Sequence, residues 1–385
     1  VGFTSQDQLI NDITVLGQYL KATSSKITSP VHTAGGWHST FGMNGFPNPT
    51  TYPAAADLVW HACTEQGGDG TTILGIQHGG NVQTGTVTKN GLSTSVLAVA
   101  AAGAPWQLKL VDLEGYYRLA TTNVTGTGSR ILINTNVFTA DAGTNLITYT
   151  NDFTTFTKVR FTTTGTLPAP LALATDYYLI RASATTASVA ASLSDAVANV
   201  PIDITDAGTG THTLTIQMRN PNGVGCEAFF CVQTAPTLGG PSLTASSYTN
   251  TAGTAARAFQ GSPTMGAAAD AYATRVLHSG NAAGRYGPFL PKQGADTGIR
   301  SVESFTWSAG TAYTGTGVMA LCIARPILDI MLPATGALSE RDLVNQIMSM
   351  PQILDGACLG WMLFGTGATT TNSPITSTID FAWGG

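Results

Sequence analysis

Val318-Met319-Ala320-Leu321-Cys322-Ile323-Ala324-Arg325 is apolar at every position except its last, and Cys358-Leu359-Gly360-Trp361-Met362-Leu363-Phe364 reads the same way. A strand with one wet face alternates apolar and polar side chains, so two short unbroken runs predict strands buried on both faces. Upstream, Ile299-Arg300-Ser301-Val302-Glu303-Ser304-Phe305-Thr306-Trp307 does alternate, as a strand with one solvated face should. Gly315-Thr316-Gly317-Val318-Met319-Ala320 fits a relaxed dinucleotide-binding fingerprint. No helix opens at its second glycine to supply the dipole that motif depends on, so it reads as a turn into a strand. Between the two apolar runs the spacing predicts a helix over Ser339 to Met350, capped by Ser339, with Leu343, Val344, Ile347 and Met348 facing inward. Glu340 and Asp342 would favour its dipole.

Further strands are predicted at Thr72–Gln77, Val82–Val87, Ser93–Ala100, Gln107–Val111 and Tyr116–Ala120, with a Lys89-Asn90-Gly91 turn among them. A second block follows with Thr157/Val159/Phe161, Asp176–Arg181, Ala187–Leu193 and Thr211–Ile216, and patches near Ser242–Tyr248 and Ala255–Phe259 are strand-capable. Strands this close, with no helices between them, indicate a small sandwich or barrel. The chain begins with a helical stripe, Leu9, Ile10, Ile13, Leu16 and Leu20, behind a Ser5-Gln6-Asp7-Gln8 capping box. A Gly-, Pro- and aromatic-rich arm runs from Ser29 to Pro53, followed by a short Ala-rich helix around Ala54 to Cys63. The expected fold is therefore mainly β: an antiparallel sandwich or jelly-roll-like domain with an inserted small β module and two or three short helices. Its parts are residues 1–66 (helix and arm), 67–150 (first part of the β domain), 151–220 (inserted module) and 221–385 (second part, with the helix 339–350).

Composition narrows the function. Of 385 residues only 10% are charged, against about 25% in ordinary globular proteins, while 43% are hydrophobic and the net charge is −5. Such a chain has a surface of hydroxyls and small side chains and no basic stripe to track phosphates, which argues against nucleic acid as a partner. No run approaches the length of a membrane helix, and the start lacks the basic and apolar regions of a secretion signal. Five scattered cysteines imply reduced thiols, and Cys226 and Cys231, an odd number apart on one strand, should face opposite sides. The six histidines form no zinc pattern, and neither a nucleophile elbow nor a phosphate loop occurs, so no catalytic, cofactor-binding or metal-binding residue is assigned. Two carboxylate pairs, Asp112 with Glu114 and Asp296 with Glu303, have the residue types glycoside hydrolysis needs. They read more simply as a solvated strand end before Gly115 and as a capped turn at Asp296.

Gly284-Arg285-Tyr286-Gly287-Pro288-Phe289-Leu290-Pro291, Asp296-Thr297-Gly298-Ile299-Arg300-Ser301-Val302-Glu303-Ser304, and Ser339-Glu340-Arg341-Asp342-Leu343-Val344-Asn345-Gln346 through Asp355-Gly356-Ala357 resemble blocks in virion structural proteins of tailed bacteriophages. The stretch Val159–Pro170, with Asp176-Tyr177-Tyr178 and Asp206–His212, resembles a small β module of phage particle proteins. The resemblance implies a structural, non-enzymatic protein of the virion, handled in the host cytoplasm during assembly, and brings no catalytic residues with it. The major shell protein needs a long spine helix that is not predicted here, so a decoration or cement protein on the capsid exterior is the expected role. A tail or baseplate component contacting a receptor or glycan is the alternative, and a carbohydrate-active enzyme the second. The expected partners are the major capsid protein or other virion proteins, with a homo-oligomer of the chain itself. Candidate interface residues are Trp37, Phe41, Phe46 and Tyr52 on the arm, and Arg285, Tyr286, Arg300, Glu303, Arg341 and Asp342 in the C-terminal third, where Arg–carboxylate pairs could fix an interface or, equally, tie the chain to itself.

Overall fold

A computed structural model of the chain describes residues 5–28, 35–39, 60–62, 75–78, 81–83, 91–100, 104–120, 128–234, 242–263, 276–277, 287–308, 318–344, 352–354, 357–366 and 373–382. Helix α1 (Gln6–Thr14) is followed by β1 (Tyr19–Thr28), β2 (Gly36–Ser39), β3 (Trp60–Ala62), β4 (Gly75–His78), β5 (Asn81–Gln83), β6 (Gly91–Ala100), β7 (Trp106–Ala120) and β8 (Gly128–Ile131). Next come β9 (Thr135–Asp141), β10 (Leu146–Thr148), β11 (Lys158–Thr163), β12 (Asp176–Arg181), β13 (Thr186–Ala190), α2 (Leu193–Val197) and β14 (His212–Ile216). The remainder comprises β15 (Glu227–Thr234), β16 (Ser242–Asn250), β17 (Val276–Leu277), β18 (Ile299–Ser308), β19 (Val318–Leu332), β20 (Ser339–Asp342), β21 (Gln352–Ile353), β22 (Leu359–Gly365) and β23 (Ser373–Ala382).

The fold is mainly β and antiparallel, as the patterns predict. Its central sheet runs β17-β15-β19-β7-β22-β2, with β3 added on β7. On one side lies the sheet β20-β6-β23-β1-β4-β5, with β21 also on β6; on the other lies the sheet β16-β18-β8. The unbroken apolar runs are explained by this layering. Along β19, Ala320, Cys322 and Ala324 join the core shared with Ala98 and Ile379 of the first outer sheet. Met319, Leu321 and Ile323 join the core shared with Val302, Phe305 and Trp307 of the other. Each fully buried aliphatic side chain contributes about 1.5–3 kcal/mol, so a strand apolar on both faces is held twice over. Cys226 and Cys231 fall into opposite cores, and the four described cysteines, Cys226, Cys231, Cys322 and Cys358, are buried.

The inserted module is a closed barrel, β10-β13-β12-β11-β14-β9. It begins at Thr135, earlier than the 151 boundary, because β9 and β10 complete the closure that β11 to β14 alone could not. Phe138, Phe161 and Tyr177 pack in its core in tilted contacts, with ring centroids 4.9 and 5.4 Å apart.

Four local expectations change. Residues 339–342, the start of the expected helix 339–350, form β20 instead: Ser339 to Asp342 pair with Ala98 to Ser95 of β6. A sheet edge wanting hydrogen bonds outweighs helix propensity there; positions 345–350 lie outside the described residues. Helix α1 ends at Thr14 because Gly17 takes φ +62° and the Gln18 N–H returns to the Asp12 carbonyl, leaving the next residues to lead into β1. The Ala54–Cys63 helix fails where it is described, since Trp60–Ala62 is a strand on β7. Gln107–Val111 and Tyr116–Ala120 are one strand, β7, made continuous through a bulge at Glu114, where Leu113 and Gly115 face consecutive residues of β19.

Candidate functional site

Both linkers between barrel and body are held. On the way in, the Leu132 N–H donates to the Glu303 carbonyl at 2.8 Å and Asn134 Nδ2 to the Val302 carbonyl at 2.9 Å. The Tyr117 hydroxyl, on β7, donates to Asn134 Oδ1. On the way out, the Ile216 N–H donates to the Asn134 carbonyl at 3.0 Å, so the two linkers leave the barrel side by side. Three residues later the chain meets a buried ionic cluster.

That cluster is Asp112, Glu114 and Arg219. The Asp112 side chain is fully buried and that of Arg219 is 8% exposed. Arg219 Nη2 donates to Asp112 Oδ1 at 2.5 Å and to the Leu113 carbonyl at 2.7 Å. Glu114 accepts the backbone N–H groups of Arg219 (2.7 Å) and Asn220 (3.1 Å), one on each oxygen. Asp112 Oδ1 also accepts the Cys358 N–H at 2.8 Å, which ties the start of β22 to the same point. Buried charge survives only when paired and hydrogen-bonded; Asp112 is paired and bonded through Oδ1, while its Oδ2 is buried without a hydrogen-bond partner among the described residues. Burial raises the Glu114 carboxyl while the Arg219 guanidinium opposes that shift. Burial would lower Arg219, but Asp112 and Glu114 outweigh it and hold the guanidinium above its ordinary value. The Cys226 thiol beside them is pushed up by burial and then by both carboxylates, so it is no nucleophile.

The solvated strand end expected at Asp112 and Glu114 is thus a correction: both are buried, and their i, i+2 spacing serves to grip one arginine. Sequence reasoning missed Arg219. The available signal was two carboxylates set among Leu110, Val111, Leu113, Tyr116 and Tyr117 in a charge-poor chain, a setting that demands a cation, and Arg219 closely follows the last barrel strand.

The second carboxylate pair does not converge. Asp296 accepts from the Tyr248 hydroxyl (2.6 Å), Asn250 Nδ2 (2.8 Å), and Arg257 Nε and Nη2 (2.9 and 3.2 Å). Glu303 accepts instead from Thr249 (2.8 Å), Ser247 (3.5 Å) and Ser301 (2.6 Å). Residues 248 and 250 alternate with 247 and 249 along β16, so the two carboxylates address opposite faces of that strand. Hydrogen bonds from Arg257 and then Tyr248 hold the Asp296 carboxyl well below the usual carboxylate range. Neither pair has the solvent-facing, convergent geometry of a glycosidase site. Among the described residues no group of three His, Cys, Asp or Glu could hold a metal ion.

The interface candidates separate. Trp37 is buried, at 6% exposure: it sits in β2 against Phe364, ring centroids 5.3 Å apart, with Lys109 Nζ 5.9 Å from its ring. Arg341 is spent within the chain, donating to the Asp329 carbonyl of β19, and Asp342 accepts the Val344 N–H at 2.9 Å. The Glu303 side chain is held by Thr249, Ser247 and Ser301 of its own sheet, whereas Arg300 is exposed. Phe41, Phe46, Tyr52, Arg285 and Tyr286 lie outside the described residues.

Comparison of the chain with protein-family models, with curated proteins and with solved structures gives no match. No helix among the described residues is long and apolar enough to cross a membrane.

Proposed function

We propose that the chain is a non-enzymatic structural protein of a tailed-phage particle, a decoration or cement protein that binds the capsid exterior and stabilises the shell. The observation that carries this reading is the seat of the barrel: a closed module gripped at both linkers, by hydrogen bonds on entry and a buried ionic cluster on exit. Such a joint transmits force between two folded parts and does not let one swing freely, which suits a protein whose task is mechanical. The resemblance of residues 284–291, 296–304 and 339–346 through 355–357 to virion proteins, and a surface poor in charge, support the same reading. In a shell, weak contacts repeated over many copies add through avidity, so no single contact need be strong.

The test is native mass of the purified chain followed by co-sedimentation with undecorated phage capsid shells. A discrete oligomer that saturates shells at a fixed ratio is expected. A protein that ignores shells would overturn the decoration role and bring a tail or glycan-contacting component forward.

A further inference from the structure

The barrel has two unlike ends. Strands β9, β11 and β13 run away from the joint and β10, β12 and β14 run back, so the turns at 141–146, 163–176 and 191–211 gather at the end remote from the body, about 20 Å from the joint. Residues 135–216 contain six Asp against three Lys and Arg. The cations are committed: Lys158 and Arg160 to Asp176, and Arg181 to Asp152. Among the described residues four carboxylates therefore lack a counter-charge, Asp141, Asp195, Asp203 and Asp206, and all four lie at the remote end. Three are fixed by neutral donors. Asp141 accepts the Gly143 N–H, Asp195 the Ser192 hydroxyl, and Asp206 the Ala169 and Gly208 N–H groups. The same end exposes three aliphatic side chains, Leu173 (60%), Val197 (48%) and Val200 (55%).

The geometry points to this end of the barrel as a docking surface for a cationic protein segment that carries aliphatic side chains. Charge complementarity selects the occupant. An acidic rim repels nucleic acid, anionic lipid and a second copy of itself placed end to end, and it favours a lysine- or arginine-rich partner. The aliphatic groups exposed at the same end supply the contact that charge alone lacks.

The test uses the full chain and fluorescence anisotropy with three labelled peptides of equal length, built from Leu and Lys, Leu and Glu, or Ser and Lys. The Leu/Lys peptide is expected to bind best, and more weakly as salt rises. The triple variant Asp195→Asn, Asp203→Asn, Asp206→Asn keeps an acceptor oxygen at each position and should weaken that binding about tenfold. Val197→Ser with Val200→Ser should weaken it several-fold, and Glu340→Gln, far from the barrel, should leave it unchanged. Circular dichroism establishes that each variant is folded, and either tip variant suffices if the other is not. Equal affinity across all variants, or a Ser/Lys peptide that binds as well as Leu/Lys, would overturn the proposal. Shell co-sedimentation of the same variants separates this surface from the virion reading, because a tip variant that still saturates shells leaves that reading standing.

Discussion

The barrel and the body bury apolar sheet faces in opposite ways. In the barrel, six strands and one short helix that are consecutive in the chain close on themselves, so each strand finds both partners within residues 135–216. In the body, neighbours come from far apart: β1 pairs with β23, Tyr19 against Ala382, and β6 lies on the other side of β23. Closure needs no outside partner, whereas the body's layers need one another. The barrel should therefore behave as a unit of local contacts, and the body as a slower, non-local assembly. All six tryptophans lie outside residues 135–216, so indole fluorescence reports the body alone.

The strongest way to break this comparison is Arg219→Met. It leaves Asp112 and Glu114 buried without their cation, at a cost of about 3–5 kcal/mol. In urea, the tryptophan transition should fall to lower denaturant while amide resonances of the barrel core persist. If both transitions move together, barrel and body are one cooperative unit. A pair of glycines sharpens the test. A Cβ at Gly223, where φ is +65°, would lie 1.8 Å from the Ile299 carbonyl oxygen, and one at Gly208, φ +67°, 2.5 Å from that of Thr166. Each alanine variant should lose about 1–3 kcal/mol or more, Gly223→Ala from the body's transition and Gly208→Ala from the barrel's.

Ser377→Ala is expected to cost about 1–2 kcal/mol by removing an acceptor from a buried indole, since Trp361 Nε1 donates to Ser377 Oγ at 2.8 Å across two layers. Thermal melting followed by tryptophan fluorescence would register it in the body only. The smallest effect concerns acid. The Asp296 carboxyl titrates below its unfolded value, so its contribution is complete above about pH 4 and is lost as pH falls through the folded value. Arg257→Gln should raise the pH of acid unfolding slightly, and an unchanged midpoint would mean that Asp296 contributes nothing to acid stability.

How far the sequence could be read follows the same division. Asp176–Arg181 and His212–Ile216 were legible because alternation and nearby turns define local strands. The doubly buried β19 was legible too, because a short run with no polar side chain has to be covered on both faces wherever the rest of the chain lies. Ser339–Asp342 was not: its capping pattern is genuine, but the unpaired edge of β6 that captures it lies more than two hundred residues upstream. Glu114 misled for a related reason. A carboxylate before a glycine looks like a strand end until the backbone N–H groups it accepts, those of Arg219 and Asn220, are placed, and a fold, not a spacing, places them. The candidate site was therefore visible in one half, the two acids, and hidden in the other.

The position of β23 has a consequence for synthesis. It fills the slot between β6 and β1, so a nascent chain leaving the ribosome holds both of those strands with the space between them empty. The barrel can close while translation continues, but the first outer sheet must wait for residues 373–382. Until they emerge, two strands with unpaired edges are open to any other extended segment, and the crowded place for such encounters is a polysome translating many copies of this message at once.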